Sequence, residues 1–157
     1  MYCINRVNCY YTLMQQLPST QRSLPIALIR ARENVMSPIR QMLSESGLTE
    51  QQWRVLRVLD EHGALEPSQL AKHAALLLPS QTRIVQSMAQ KGFVVRREHH
   101  NDRRRTVIEI TDAGQAIIRD NAAEAAEIAE QIRDKLGAKR CETLLDILDD
   151  LGNLDVG

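Results

Sequence analysis

The chemistry that this sequence offers most clearly is anion binding by a cluster of cationic side chains. The cluster consists of Arg103, Arg104 and Arg105, with His99 and His100 close by. Guanidinium groups attract phosphate, and a nucleic-acid backbone is the commonest polyanion that such a cluster would meet. The alternative is that these arginines are only solvated and keep the edges of strands from pairing between molecules. The cluster alone favours neither interpretation.

The residues around the cluster predict a β-hairpin. Residues 93–97 and 106–111 are rich in valine and isoleucine, which favour extended backbone, and Asn101-Asp102 between them favours a turn. A hairpin of this length is not stable by itself, so helices must support it. The polar loop that carries the arginines would then project into solvent.

A helix is predicted directly before the hairpin, over residues 79–91, and it has one apolar and one polar face. At 100° per residue, Ile84, Val85 and Met88 share the apolar face, and Gln81 projects toward it for no reason that the sequence supplies. The side chains on or beside the polar face are Ser80, Thr82, Arg83, Gln86 and Gln90. A short helix over 67–75 precedes this one. The segment is therefore a predicted winged helix-turn-helix, whose second helix suits the major groove of DNA and whose hairpin suits the minor groove.

The first predicted helix covers residues 23–47 and contains Pro38. That proline predicts either a kink or a new helix that begins there. The next helix is predicted to start with a capping box, because Thr49 is followed three residues later by Gln52. Gly63 is expected to end it.

Two helices are expected after the hairpin, over residues 113–136 and 138–151, and Thr111 is the predicted N-cap of the longer one. Both have broad apolar stripes, as the first helix does. The expected organisation is a flexible N-terminal arm over 1–20, an N-terminal helix over 21–47, a winged helix-turn-helix lobe over 48–111 and C-terminal helices over 112–157.

Length and charge agree with one DNA-binding domain and its helical extensions. The chain has 157 residues and a formal net charge of zero. Residues 1–111 carry 15 Lys and Arg against 9 Asp and Glu, whereas residues 112–157 carry 5 against 11. The predicted wing therefore lies in the basic portion. Because no apolar run is long enough to cross a membrane and no convincing secretory signal is present, we expect a cytoplasmic protein.

The sequence gives no positive sign of a metal site, a cofactor or an enzyme. Cys3, Cys9 and Cys141 are scattered and odd in number, which argues against a disulfide framework or structural zinc. The adjacent His99 and His100 would point in opposite directions on a strand. Catalytic triads, glycine-rich phosphate loops and paired carboxylates are not recognisable. A thiol-based redox sensor on the same winged helix-turn-helix scaffold is an alternative that these cysteines leave open.

Together these motifs resemble the MarR family of winged helix-turn-helix transcriptional regulators. The segments that carry the resemblance are LTEQQWRVLRVLDEHG, SQLAKHA and PSQTRIVQSMAQKGFVVRREHHNDRRRTVIEITDAG. The wing pattern of the family, Asp-x-Arg and then hydrophobic-Thr-x-x-Gly, is matched by Asp102, Arg104, Ile110, Thr111 and Gly114. Within the family the chain most resembles the repressors of homoprotocatechuate (hydroxyphenylacetate) degradative operons, through RARE, LTEQQWR and the Leu-x-Pro-Ser-x-Thr turn.

The resemblance implies a mainly α fold with a small β-hairpin wing (α+β), and a homodimer held by a layer of N- and C-terminal helices. The dimer would repress an aromatic-compound catabolic operon by binding a pseudo-palindromic operator in double-stranded DNA. A small aromatic or phenolic acid would release it. The implied DNA contacts are Ser80, Thr82, Arg83 and Gln86 in the major groove and Arg103, Arg104 and Arg105 on the wing. Arg104 would enter the minor groove, with Asp102 stabilising the wing.

Effectors of the family bind between the dimerisation layer and the DNA-binding lobe, which implicates Arg32, Met36, Arg40 and Trp53. Either arginine could hold a carboxylate in a bidentate way, although solvation or an ion pair is equally compatible with both. Trp53 could contact an aromatic ring, but packing in the core is the favoured interpretation. The chain departs from many members in the helix-turn-helix turn, where it has Ala75-Leu76-Leu77 instead of a glycine.

Overall fold

The computed structural model describes residues 19–99 and 102–155, without the side chains of His99, Asp102 and Arg103. Its helices are α1 (Leu24–Ser44), α2 (Glu50–His62), α3 (Pro67–His73), α4 (Leu78–Gln90), α5 (Asp112–Leu136) and α6 (Ala138–Gly152), and its strands are β1 (Val94–His99) and β2 (Asp102–Ile110). This order confirms the predicted mainly α winged helix-turn-helix, with α3 and α4 as its helix pair and β1–β2 as its wing. Of the predicted arm, all but residues 19 and 20 lies outside the described part.

The chain divides into two compact units within α1, between Val35 and Met36. α1 continues through Pro38, so no new helix begins at that proline. In the first unit, α1 exposes the apolar side chains of Leu24, Ile26, Leu28, Ile29 and Val35. In the second unit, α6 exposes those of Leu144, Leu145, Ile147 and Leu148. No helix in the described part of the chain is long and apolar enough to cross a membrane.

The ends of two helices are fixed by the side chains that the sequence predicts. The Thr49 hydroxyl accepts a hydrogen bond from the Gln52 amide at 3.2 Å, and the Gln52 side-chain oxygen accepts one from the Thr49 amide at 3.1 Å. This is the expected capping box of α2. At α5, the Thr111 hydroxyl accepts a hydrogen bond from the Gly114 amide at 3.2 Å and donates one to the Gly92 carbonyl at 2.6 Å. The cap of α5 is therefore also a link to the end of α4.

The hairpin is longer than its β-branched residues predict. β1 and β2 are antiparallel, with Val94 opposite Ile110, and the register shifts between Glu98 and His99. β2 begins at Asp102, so the arginines lie on a strand instead of in a polar loop as expected. The pairs on either side of the arginines, Asp102 with His99 and Thr106 with Glu98, hold the segment between them in extended backbone, although Asp is disfavoured in strands.

A short segment between α2 and α3 also pairs with the hairpin. The Leu65 amide donates to the Ile108 carbonyl at 3.0 Å, and the Ile108 amide donates to the Leu65 carbonyl at 2.8 Å. Because Ile108 is fully buried, this pairing attaches the wing to the core of the second unit.

The core of the second unit is aliphatic and joins the helix-turn-helix to the wing. Its largest completely buried apolar side chains are Leu43, Leu56, Leu59, Leu70, Met88, Ile108, Val55 and Val85. α5 enters this core at Gly114, where an added Cβ would collide with the carbonyl oxygen of Phe93 and with the Ile110 side chain. The glycine therefore permits a close approach of α5 to the base of the hairpin.

Candidate nucleic-acid interface

α4 presents a polar surface opposite the face that it buries. Gln81, Val85 and Met88 are buried, whereas the four side chains predicted to meet the major groove are all exposed, namely Ser80, Thr82, Arg83 and Gln86. The Thr82 hydroxyl donates to the Leu78 carbonyl at 3.0 Å, so its oxygen remains an acceptor for an outside donor. Arg83 has no ion pair with any residue that the structure describes. Its guanidinium is therefore available to an external anion.

The turn before α4 is held in an unusual backbone conformation. Ala75 has a φ of 48°, in the left-handed region that costs an alanine energy and that glycine adopts readily. Arg54 on α2 donates to the Ala75 carbonyl at 3.4 Å, and the Leu76 amide donates to the Ala71 carbonyl at 2.9 Å. The turn between α3 and α4 is thus formed here without glycine.

The wing arginines have different surroundings. Arg104 is exposed on β2. Arg105 forms an ion pair with Glu66, the N-cap residue of α3, so its side chain connects the wing to the helix-turn-helix. The side chains of Asp102 and Arg103 lie outside the described part, so their predicted roles remain predictions.

Two further arginines on β1 were not among the predicted DNA contacts. Arg97 pairs with Glu109 across the hairpin at 2.7 Å, whereas Arg96 is exposed and has no ion pair within the described chain. The packing of β1 against α4 brings this strand next to the polar helix. Arg96 therefore adds a cation to the wing. Arg96 follows a pair of valines in a predicted strand, and this position could have identified it as a residue of the wing.

Gln81 is buried in α4 with 1% of its surface exposed. Neither its side-chain oxygen nor its side-chain nitrogen has a hydrogen-bond partner among the described residues. The predicted direction of this side chain is confirmed, and its amide lies in a site that would suit an apolar side chain.

The four residues predicted for an effector have different environments. Arg32 belongs to the first unit, where it pairs with Glu33 at 2.9 Å. In the second unit, Arg40 pairs with Glu50 at 3.0 Å, and Met36 is half-buried. Trp53 is 6% exposed and packs in the core, as favoured from its sequence position.

Two histidines that are far apart in sequence meet at the ends of α2 and α3. The ring centroids of His62 and His73 are 4.4 Å apart and their planes are tilted by 36°. Within the described residues no group of three His, Cys, Asp or Glu side chains could hold a metal ion. The ring pair is a packing contact between the two helices. Cys141 is half-buried on α6 and carries a free thiol, while Cys3 and Cys9 lie outside the described residues.

Known proteins with similar sequences identify the family of this chain. The model of the MarR family matches residues 48–106. The HTH-type transcriptional regulator FarR of Neisseria gonorrhoeae is 35% identical over 137 residues, which cover 87% of this chain and 94% of that protein. This chain belongs to the MarR family. It is a transcriptional regulator with a DNA-binding winged helix.

Other MarR proteins extend the similarity beyond the winged helix. The homoprotocatechuate degradative operon repressor of Escherichia coli is 37% identical over 134 residues, covering 83% of this chain and 90% of the repressor. The solved structure of NadR in complex with 4-hydroxyphenylacetate matches with a TM-score of 0.77 at 34% identity, covering 90% of this chain and 100% of that one. The predicted family and the predicted similarity to homoprotocatechuate repressors are both confirmed.

Proposed function

We propose that this MarR-family regulator is a homodimeric repressor that binds a pseudo-palindromic operator and releases it on binding a small phenolic or aromatic acid. The observation that carries the DNA-binding part is the arrangement of α4 and the wing. The helix exposes Ser80, Thr82, Arg83 and Gln86, and it packs against a hairpin with exposed arginines. Such a unit fills the major groove with the helix and reaches phosphates or the minor groove with the hairpin.

The proposed contacts are not equivalent in what they contribute. Arg83 and Gln86 would hydrogen-bond to base edges, and Ser80 and Thr82 to bases or phosphates. Arg103 and Arg104 would contact the minor groove or its phosphates, with Asp102 holding the wing in shape. Arg105 would add little to the local positive potential while it remains paired with Glu66, because the carboxylate offsets its charge.

Mobility shift with DNA from the region upstream of the gene tests this proposal. We expect specific retardation that weakens steeply with salt, because arginine–phosphate contacts release counterions. Arg104→Ala should weaken binding and reduce the log–log salt slope by about one. Arg83→Ala should cost about 1 to 3 kcal/mol and relax the preference at one base pair. Arg119→Ala on α5 is the control, because Arg119 is exposed, lies outside α4 and the wing, and has no ion pair among the described residues, so its loss should leave binding unchanged. Failure to retard any upstream fragment at low salt would refute DNA binding.

The proposed dimer rests on the exposed apolar faces of α1 and α6. Each unit leaves such a face uncovered, and exposed apolar stripes of this kind mark surfaces that bind another polypeptide. A second copy of the chain would bury them and place its own α4 about one helical turn of DNA away, roughly 34 Å. Sedimentation should give a dimer, and Leu145→Glu with Leu148→Glu should yield monomers that no longer bind the operator. Monomers from the wild-type chain at micromolar concentration would contradict the proposal.

The proposed effector is a hydroxyphenyl carboxylic acid. NadR binds 4-hydroxyphenylacetate, and a second relative is a homoprotocatechuate operon repressor. In the second unit, Arg40 could exchange the carboxylate of Glu50 for that of the ligand, with Met36 nearby in sequence on the same helix.

Trp53 offers a direct readout of this effector, because it is the single tryptophan of the chain. Titration with 4-hydroxyphenylacetate should change its fluorescence with saturation, and the same ligand should release the operator. Arg40→Gln should lower the affinity for the ligand while leaving DNA binding intact. The alcohol 2-(4-hydroxyphenyl)ethanol, which keeps the phenol and lacks only the carboxylate, should have no effect. If a cysteine-free variant lost its response and the wild-type protein responded only to peroxide, thiol sensing would replace this proposal.

A further inference from the structure

An apolar tip precedes the recognition helix, and the functions proposed above leave it unused. This leucine tip consists of Leu77, the N-cap of α4, and Leu78, its first residue. Leu77 is 78% exposed and Leu78 is 50% exposed. Among the described residues, Leu77 is the most exposed of the large hydrophobic side chains.

The backbone holds the leucine tip firmly at the entrance of the helix. The Leu77 carbonyl accepts the Gln81 amide at 2.9 Å, and the Leu78 carbonyl accepts the Thr82 hydroxyl. The tip lies in the turn between α3 and α4, far along the chain from the apolar stripes of α1 and α6. The dimer proposed above therefore gives no reason for it.

The surroundings of the leucine tip are polar and cationic. Ser80 and Arg83 follow it on α4, Lys72 precedes it on α3, and all three are exposed. Neither Arg83 nor Lys72 has an ion pair with any residue that the structure describes. A partner that matches this surface carries anions around a small apolar group. Duplex DNA offers that combination, because the C5-methyl of thymine is the apolar group on the base edges of the major groove.

We propose that Leu77 and Leu78 read thymine by packing against its C5-methyl group in the major groove. The inference rests on the proposed insertion of α4 into that groove, where the first residues of a recognition helix contact the base edges. Ser80, Arg83 and Gln86 then supply hydrogen bonds. The leucine tip recognises the methyl group, which cannot form a hydrogen bond. The tip makes operator recognition depend on one or more thymines in each half-site.

The test removes only the methyl groups from the DNA. A duplex that the protein selects from a random-sequence pool is resynthesised with deoxyuridine in place of each thymine in turn. For the wild-type protein we expect about a fourfold loss of affinity for each contacted methyl group, from the burial of one CH₂-sized unit. The doubly substituted variant Leu77→Ala, Leu78→Ala should bind thymine and uracil duplexes equally. Its thermal unfolding should match the wild type, since both side chains are exposed.

Arg104→Ala provides the matched control, because it should weaken binding to thymine and uracil duplexes by the same factor. The wild type could select a duplex in which no replacement of thymine by uracil lowers affinity. That result would overturn the role of the leucine tip and leave the proposed function standing. The same holds if the double variant keeps the full discrimination. If the wild type selects no duplex at all, the DNA-binding proposal fails and the thymine contact fails with it.

Discussion

Replacement of the buried Gln81 by methionine should stabilise the protein. The amide is 1% exposed, and neither of its polar atoms has a hydrogen-bond partner among the described residues. Folding therefore removes these atoms from water without a compensating bond, which costs about 1 to 3 kcal/mol for a buried group. Methionine is unbranched, is of similar length and has a similar helix preference, so it keeps the packing and removes the desolvation cost.

The expected gain for Gln81→Met is about 1 to 3 kcal/mol in the free energy of unfolding, or roughly 2 to 4 °C in Tm for each kcal/mol in a chain of this size. Urea unfolding followed by circular dichroism measures it, at equal protein concentration because the proposed dimerisation would contribute to apparent stability. Gln86→Met is the matched control on the same helix. Since Gln86 is exposed, that change should stay within about 0.5 kcal/mol.

Gln81→Glu is a second test of the cost of burial, because it puts a carboxylate in the same buried site. We expect it to be less stable than the wild type at neutral pH, since an unpaired charge is costlier to bury than an amide. If Gln81→Met were no more stable than the Gln86→Met control, the amide would have to be satisfied within the folded protein. The reasoning from burial would then be wrong.

Two other substitutions test the packing at the base of the wing and in the turn. Gly114→Ala should destabilise the protein by about 1 to 3 kcal/mol in a thermal unfolding assay, because the new Cβ meets backbone that cannot move aside. Gly152→Ala is the control, since a Cβ there has open space, and it should be close to neutral in the same assay. Ala75→Gly should raise the free energy of unfolding by about 1 kcal/mol and Tm slightly, because glycine adopts the left-handed backbone at φ 48° without strain. A loss of stability in this variant would show that the turn is not strained.

The sequence predicts well those features that depend on neighbouring residues. The caps at Thr49 and Thr111 follow from side chains three residues from their partners, and the burial of Gln81 follows from helical periodicity. The start of β2 was missed because the local preference of Asp and Arg is weak for strands. The strand exists through pairing with β1, which no short window of sequence reveals.

The remaining features depend on contacts between distant parts of the chain. Arg105 and Glu66 are an ion pair, and His62 and His73 form a ring contact, because the fold brings α2, α3 and β2 together. Arg105 was predicted as a DNA contact from the arginine cluster and the family resemblance, and neither indicated an acidic partner at the N-cap of α3. The family resemblance supplied the topology but not these pairs, since they depend on the side chains of this particular chain.

The wing and the helix-turn-helix are joined so closely that they should respond to a ligand as one body. Leu65 pairs with Ile108 through two hydrogen bonds, Arg105 pairs with Glu66, and Thr111 bonds to the end of α4. The proposed effector would then release DNA by reorienting whole lobes of the proposed dimer and would leave the hairpin intact. Amide hydrogen exchange of β1 and β2 should therefore be the same with and without 4-hydroxyphenylacetate, under conditions where the operator is released. Faster exchange in the hairpin on ligand binding would instead mean that the wing loosens, and that these three connections do not control it.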